Sequence, residues 1–279
     1  MIATVCGSLF NVVFDYLFIF PCGMGMLGAV LATGFSPVVG LVIMSPHWLG
    51  KNRGFHFRKL APDSDSIRTN IALGFPSLLS QISAAIVMIV FNMLILGLEG
   101  NTGVAAYGVI ANISLVVLSF YTGIAQGIQP LVSHSYGRNE TEGIRRFLRY
   151  AMVSMVILSA LMYLILFVFA DPIASAFNSE HSAKLQEIAV TGLKLYFTSL
   201  VFAGFNIILS MYFTSIEKAL PAQIISLLRG LILIIPVAFL FAKLWNMTGV
   251  WMSFPATELV TAVVGVVLYF IYKNRLYRR

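Results

Sequence analysis

Residues 150–170 read YAMVSMVILSALMYLILFVFA: 21 residues without one charged side chain. A helix that crosses a bilayer needs about 20 mostly apolar residues. A helix on the surface of a soluble domain would instead show polar residues along one face. Here the apolar positions run all round, so the segment predicts a helix whose solvent is lipid. Working outward, comparable stretches lie at 2–22, 24–46, 71–98, 104–132, 190–213, 220–243 and 250–272. They are too long and too evenly apolar for the alternating strands, about ten residues each, of a membrane barrel. The first run has no basic start and carries Asn11 and Asp15, so it reads as a mature span and not as a signal peptide.

Composition agrees. The chain has 279 residues, of which 59% are apolar and 10% charged, and its mean hydropathy is +0.90. An average soluble domain is about 25% charged. So few charges cannot coat a water-soluble globule. The expected fold class is all-α: a polytopic membrane helix bundle of about eight transmembrane helices. Two cysteines, Cys6 and Cys22, exclude a disulfide framework or cysteine metal cluster. The formal net charge of +7 reads as positive loops on the cytoplasmic side, with no nucleic-acid partner.

Basic residues set the orientation. Lys51, Arg53, Arg58, Lys59 and Arg68 fall in one loop, and Arg138, Arg145, Arg146 and Arg149 in a second near 133–149. Lys218 and the tail residues Lys273, Arg275, Arg278 and Arg279 share that side, against Lys184, Lys194 and Lys243 on the other. The bias predicts a multi-pass protein of the cell membrane with both termini cytoplasmic. The polar stretch around 47–70 divides the chain. The expected organisation is a two-helix segment (1–46), a cytoplasmic loop (47–70), a six-helix lobe (71–272) and a basic cytoplasmic tail (273–279).

A shift of 221 residues lays the first hairpin on the last. Phe18 and Phe20 meet Phe239 and Phe241, and Met26 and Gly28 meet Met247 and Gly249. Internal repeats are frequent in secondary transporters. The six-helix block contains the echo of the two-helix segment, so the chain reads as one complete lobe plus the last third of another. Chance similarity between two apolar hairpins is the competing explanation.

Several short motifs carry a resemblance. They are Asn11-x3-Asp15 with Gly25-Met-Leu-Gly28-Ala29-Val-Leu-Ala32-Thr33; Gly74-Phe75-Pro76; Ala105-Ala106-Tyr-Gly108; Gly127-Ile-Gln129-Pro130-Leu131 with Tyr136-Gly137; and Ser226-Leu-Leu-Arg229 with Pro236. In this order and spacing the chain resembles helices five to twelve of the multidrug and toxic compound extrusion (MATE) family of cation-coupled antiporters. The resemblance implies two six-helix lobes in a whole member, with helices one to four absent here.

Ionisable groups at membrane depth are costly and mostly functional. Two acids fall well inside spans, Asp15 and Glu258. Asn11 lies four residues before Asp15 on the same helical face. Counting back and on from the turn near 21–25 places Asp15 and Thr33 at similar depth, on the order of 10–15 Å from the surface at 1.5 Å per residue. A carboxylate with amide and hydroxyl oxygens can hold a proton or a small hard cation. It can equally be a polar cluster that pairs two helices. The resemblance implies that Asn11, Asp15 and Thr33 belong to a cation or proton network in the first lobe. Glu258 reads either as a further coupling acid or as an interhelical hydrogen bond. The spans that resemble helices seven and ten carry Gln81 and Asn206 but no acid, which favours H+ over Na+ as the coupling ion.

Gln81, Asn92, Asn112, Gln126, Gln129 and Asn206, with Tyr196 and Tyr212, are candidates for a substrate cavity, since amides facing lipid are expensive. Ordinary helix-packing contacts account for any one of them equally well. Arg229 is expected near the inner face, snorkelling to water. No metal spacing, phosphate loop or nucleophile pair appears, so neither an enzyme nor a cofactor is expected.

The expected function is secondary active efflux of organic cations by antiport and alternating access. A lipid or lipid-linked sugar flippase of the same superfamily is the alternative. So is a non-transporting remnant. The expected partners are small organic cations, the lipid bilayer and a second chain that restores the missing helices.

Overall fold

The structure is a computed structural model that describes residues 2–49, 63–178 and 181–276. Lys51, Arg53, Arg58, Lys59, Arg278 and Arg279, and most of the expected inter-lobe loop, lie outside the described residues. Among the described residues every regular element is helical. The chain forms two compact units, Met1–Pro62 and Asp63–Arg279.

The first unit is a helical hairpin of α1 (Ile2–Ile19) and α2 (Gly25–Leu49). Ala3, Gly7, Asn11 and Asp15 recur every four residues, so they form one stripe along α1. The stripe's small end lets α2 close in. Ser36 Oγ donates to Gly7 O at 2.7 Å, and a Cβ on Gly7 would lie 3.1 Å from Ser36 O. Small residues of this kind let membrane helices approach backbone to backbone.

The second unit begins with α3 (Ser64–Gly137), which is broken at Gly100. There φ is 65° and ψ −157°, a conformation open to glycine, so α3 is two passes. It continues with α4 (Thr141–Val168), the short α5 (Ala170–Phe177) and α6 (Ala183–Tyr196). A 3-10 turn, Phe197–Ser199, joins α6 to α7 (Leu200–Ser215) as one long pass. A π-helical turn, Leu228–Ile232, joins α8 (Ala219–Leu227) to α9 (Ile234–Leu276). Helix α9 is itself broken at Trp245 and Asn246. Counting both breaks, the described helices make the eight expected passes. Five continuous helical stretches are long and apolar enough to cross a membrane; α1 is a shorter apolar helix.

The expected loop at 133–149 shrinks to a turn at 138–140, because α4 starts at Thr141 and carries Arg145, Arg146 and Arg149. Arginine is a good helix former, so the helix outlasts the apolar run that defines the span.

The 221-residue echo reappears as geometry. Gly25 and Asn246 correspond under the shift, and both have positive φ, 54° and 51°. Three residues on, the matched Gly28 and Gly249 are the close-approach glycines just after each turn. A Cβ on Gly28 would lie 2.7 Å from Phe18 Cβ, and one on Gly249 would collide with Phe241 O.

The core of the second unit is aromatic. Phe91, Tyr107 and Trp251 stack in series, with ring centroids 5.6 Å and 6.2 Å apart. Tyr196 stacks on Phe254 at 4.5 Å. Gly192 in α6 leaves room for this stack, since its Cβ would meet Ile110 Cδ1 and lie 2.9 Å from Trp251. Gly192→Ala is therefore expected to destabilise the unit by about 1–3 kcal/mol through overpacking, seen as a lowered melting temperature of the detergent-purified chain.

Candidate functional site

Two polar clusters stand out, one in each unit. In the first, α1 and α2 bring Asn11 and Thr33 together: Asn11 Nδ2 donates to Thr33 Oγ1 at 3.2 Å. Asp15 follows Asn11 by one turn on the same stripe. Its Oδ1 is buried and accepts no hydrogen bond. A buried carboxylate oxygen without a donor is expensive.

The second cluster centres on Glu258, on the second half of α9. It is 0% exposed. Arg229 donates to Glu258 Oε1 from Nη2 at 2.7 Å and from Nε at 3.1 Å. Asn206, on α7 and also 0% exposed, donates from Nδ2 to Glu258 Oε2 at 2.7 Å and to Glu258 O at 2.9 Å. Arg229 therefore does not snorkel to the inner face as expected. A buried carboxylate attracts the guanidinium more strongly than distant water does, and Arg229 reaches it from the π-helical turn Leu228–Ile232. Asn206 is likewise not on a cavity wall but is bound to the acid. Tyr196 lies near this cluster, within electrostatic reach of Glu258 and Arg229. Tyr196 and Tyr212, expected on a cavity wall, are both buried in the core.

The remaining amides differ from Asn206. Gln81, Asn112 and Gln126 are exposed, and Asn92 and Gln129 are half-buried. Asn112 spends its Nδ2 on Gly108 O, one turn back in its own helix, at 2.8 Å. Among the described residues no group of three or more His, Cys, Asp or Glu could hold a metal ion.

The family model described as MatE matches residues 76–240, more than half of the chain. The chain belongs to the MatE family. Multidrug export protein MepA of Staphylococcus saprophyticus is 23% identical over 278 residues, which are 99% of this chain and 60% of that protein. MepA of Staphylococcus haemolyticus matches to the same extent. This MatE chain thus spans about 60% of the length of these relatives. Among solved structures, a multidrug resistance MATE family transporter in an outward-facing conformation superposes with a TM-score of 0.92 at 25% identity, covering 100% of this chain and 63% of that one. A Pyrococcus furiosus transporter of the MOP superfamily superposes at 0.89 with 26% identity, covering 99% and 63%. That transporter is described as having a binding pocket of reverse polarity. Together with the apolar helices, these relatives make this MatE chain a multi-pass membrane protein.

Sequence reasoning found Glu258 but missed its partner. The signal was available: a lone arginine in an otherwise uncharged run, 29 residues from a lone acid. Buried charges of opposite sign tend to find each other.

Proposed function

We propose that this chain is the transport-competent part of a secondary active exporter of organic cations. The exporter is driven by proton antiport, with sodium as the alternative ion, and works by alternating access in the cell membrane with both termini cytoplasmic. The observation that carries the reading is the buried, unpartnered Asp15 Oδ1, beside the hydrogen bond from Asn11 to Thr33. A coupling ion drives transport only if it binds two conformations with different affinity. An orphan acceptor is a site where that difference can arise. The names of the relatives, multidrug export proteins, support the substrate class. The flippase reading requires a free cation to hold phosphate. Arg229, the candidate for it, is already engaged by Glu258. No enzymatic chemistry enters the reading.

The test is Asp15→Asn in the full chain, reconstituted in lipid vesicles with a fluorescent organic cation inside and an imposed pH gradient. The expected result is a drop in proton-driven efflux of at least about tenfold, in line with loss of the group that binds the driving ion. Efflux at the unsubstituted rate would sink the assignment.

A further inference from the structure

Helix α4 has two unlike faces. Ile144, Leu148, Ala151 and Met155 are buried in the second unit. On the opposite side Tyr150, Val153, Ile157 and Leu164 are 60%, 52%, 63% and 59% exposed. At about 100° per residue these four share one stripe of the helix. Continued towards the start of α4, the same stripe carries Arg149, Arg146 and then Glu142, all exposed. A helix that crosses a bilayer turns such a face to the lipid. Read from the middle of the helix outward, the stripe runs hydrocarbon, tyrosine, two guanidiniums, carboxylate. The tyrosine stands where water and hydrocarbon meet, the depth that this side chain favours.

The charges of the stripe are not spent on each other or on neighbours. Among the described residues no ion pair engages Arg146, Arg149 or Glu142. Other charges near the two ends of α4 are engaged. Arg138 pairs with Glu140 at 3.0 Å and Lys184 with Glu99 at 2.8 Å. Lys194 lies over the Phe167 ring, 5.3 Å from its centroid. Residues three apart on a helix have Cβ atoms about 5–6 Å apart, so two guanidiniums at that spacing can grip the two free oxygens of one phosphodiester. From Val153 to Leu164 the helix rises roughly 17 Å at 1.5 Å per residue. That is close to half of a hydrocarbon core about 30 Å thick, the length of one acyl chain.

We propose that this stripe is a binding site for a phospholipid with an amine in its headgroup. The phosphate sits between Arg146 and Arg149, and the ammonium, two carbons further out, meets Glu142. An acyl chain lies along Val153, Ile157 and Leu164. The order of charges decides the class. A free phosphate would leave the apolar stripe and Glu142 unused. An anionic headgroup without an amine would meet Glu142 as a like charge. The site lies on the face of α4 turned away from the second unit's core, so it does not depend on the antiport reading.

The experiment is native mass spectrometry of the full chain in detergent, titrated in turn with phosphatidylethanolamine, phosphatidylglycerol and phosphatidylcholine. Phosphatidylethanolamine is expected to bind most tightly. The double variant Arg146→Gln, Arg149→Gln is expected to weaken it by at least about twentyfold, about fivefold for each cation at a membrane surface. Glu142→Gln is expected to weaken phosphatidylethanolamine about threefold, the scale of an exposed ion pair, and to strengthen phosphatidylglycerol. Lys218→Gln removes a charge away from the stripe and is expected to change nothing. All four side chains lie away from the core, and an unchanged melting temperature confirms that each variant is folded. Three lipids bound alike, phosphatidylglycerol bound tightest, or equal losses from Lys218→Gln and from a single arginine variant would overturn the proposal. So would displacement of the lipid by excess inorganic phosphate, which would mark a site for the free anion.

Discussion

Leucine in place of Arg229 is expected to destabilise the second unit by about 3–5 kcal/mol, the range found when one partner of a buried ion pair is removed. The pair is closed on every side that matters. Glu258 is fully buried, Arg229 reaches it through two donors, and Asn206 occupies the other oxygen. Removing the guanidinium leaves a fully buried carboxylate with one side-chain partner. The reverse change, Glu258→Leu, is expected to cost less. Arg229 is partly exposed, so its charge is not sealed in once the acid is gone. Melting temperatures of both variants in one detergent check this order. Equal losses, or a larger loss for Glu258→Leu, would contradict it.

Alanine at Gly249 is expected to be almost as damaging, at least about 3 kcal/mol, the upper end of what overpacking costs. A Cβ there would collide with Phe241 O and lie 3.2 Å from Ala242 N. Both are backbone atoms, so no side chain can swing aside. The collision falls at the break in α9, where Asn246 already adopts a positive φ. Either the turn opens or the two halves of α9 part. Gly97 is the control. It lies within α3 with nothing within 4 Å of an added Cβ, so Gly97→Ala is expected to stabilise by about 0.5–1 kcal/mol. Thermal unfolding of the two variants side by side is the measurement.

How far the sequence can be read differs between the two clusters. Asn11, Asp15 and Thr33 sit on two helices joined by a short turn, so counting residues from the turn suffices to predict that α1 and α2 meet there. The hydrogen bond from Asn11 to Thr33 agrees with that count. The Glu258 cluster spans three elements and depends on the π-helical turn at Leu228–Ile232. Such a turn takes up an extra residue and rotates the downstream helix relative to a regular 3.6-residue repeat. Periodicity therefore misplaces Arg229, and with it Asn206, whose polarity alone would put it on a cavity wall. Helix ends depart from the hydropathy pattern for a related reason. Hydropathy marks where lipid begins, whereas α4 runs on through Arg149, Arg146 and Arg145 because those residues favour helix in water as well.

The sequence alone determined the solvent and the number of crossings, because the free energy of placing a segment in lipid is a sum over its own residues. It also singled out Glu258 as an acid inside a span. Only the tertiary structure decided which charge it meets. Arg229 reaches Glu258, and Asn206 completes the shell, because a register shift between α8 and α9 turns one face of the chain inward. The rotation of one helix against its neighbours is a property of their packing and not of any segment by itself.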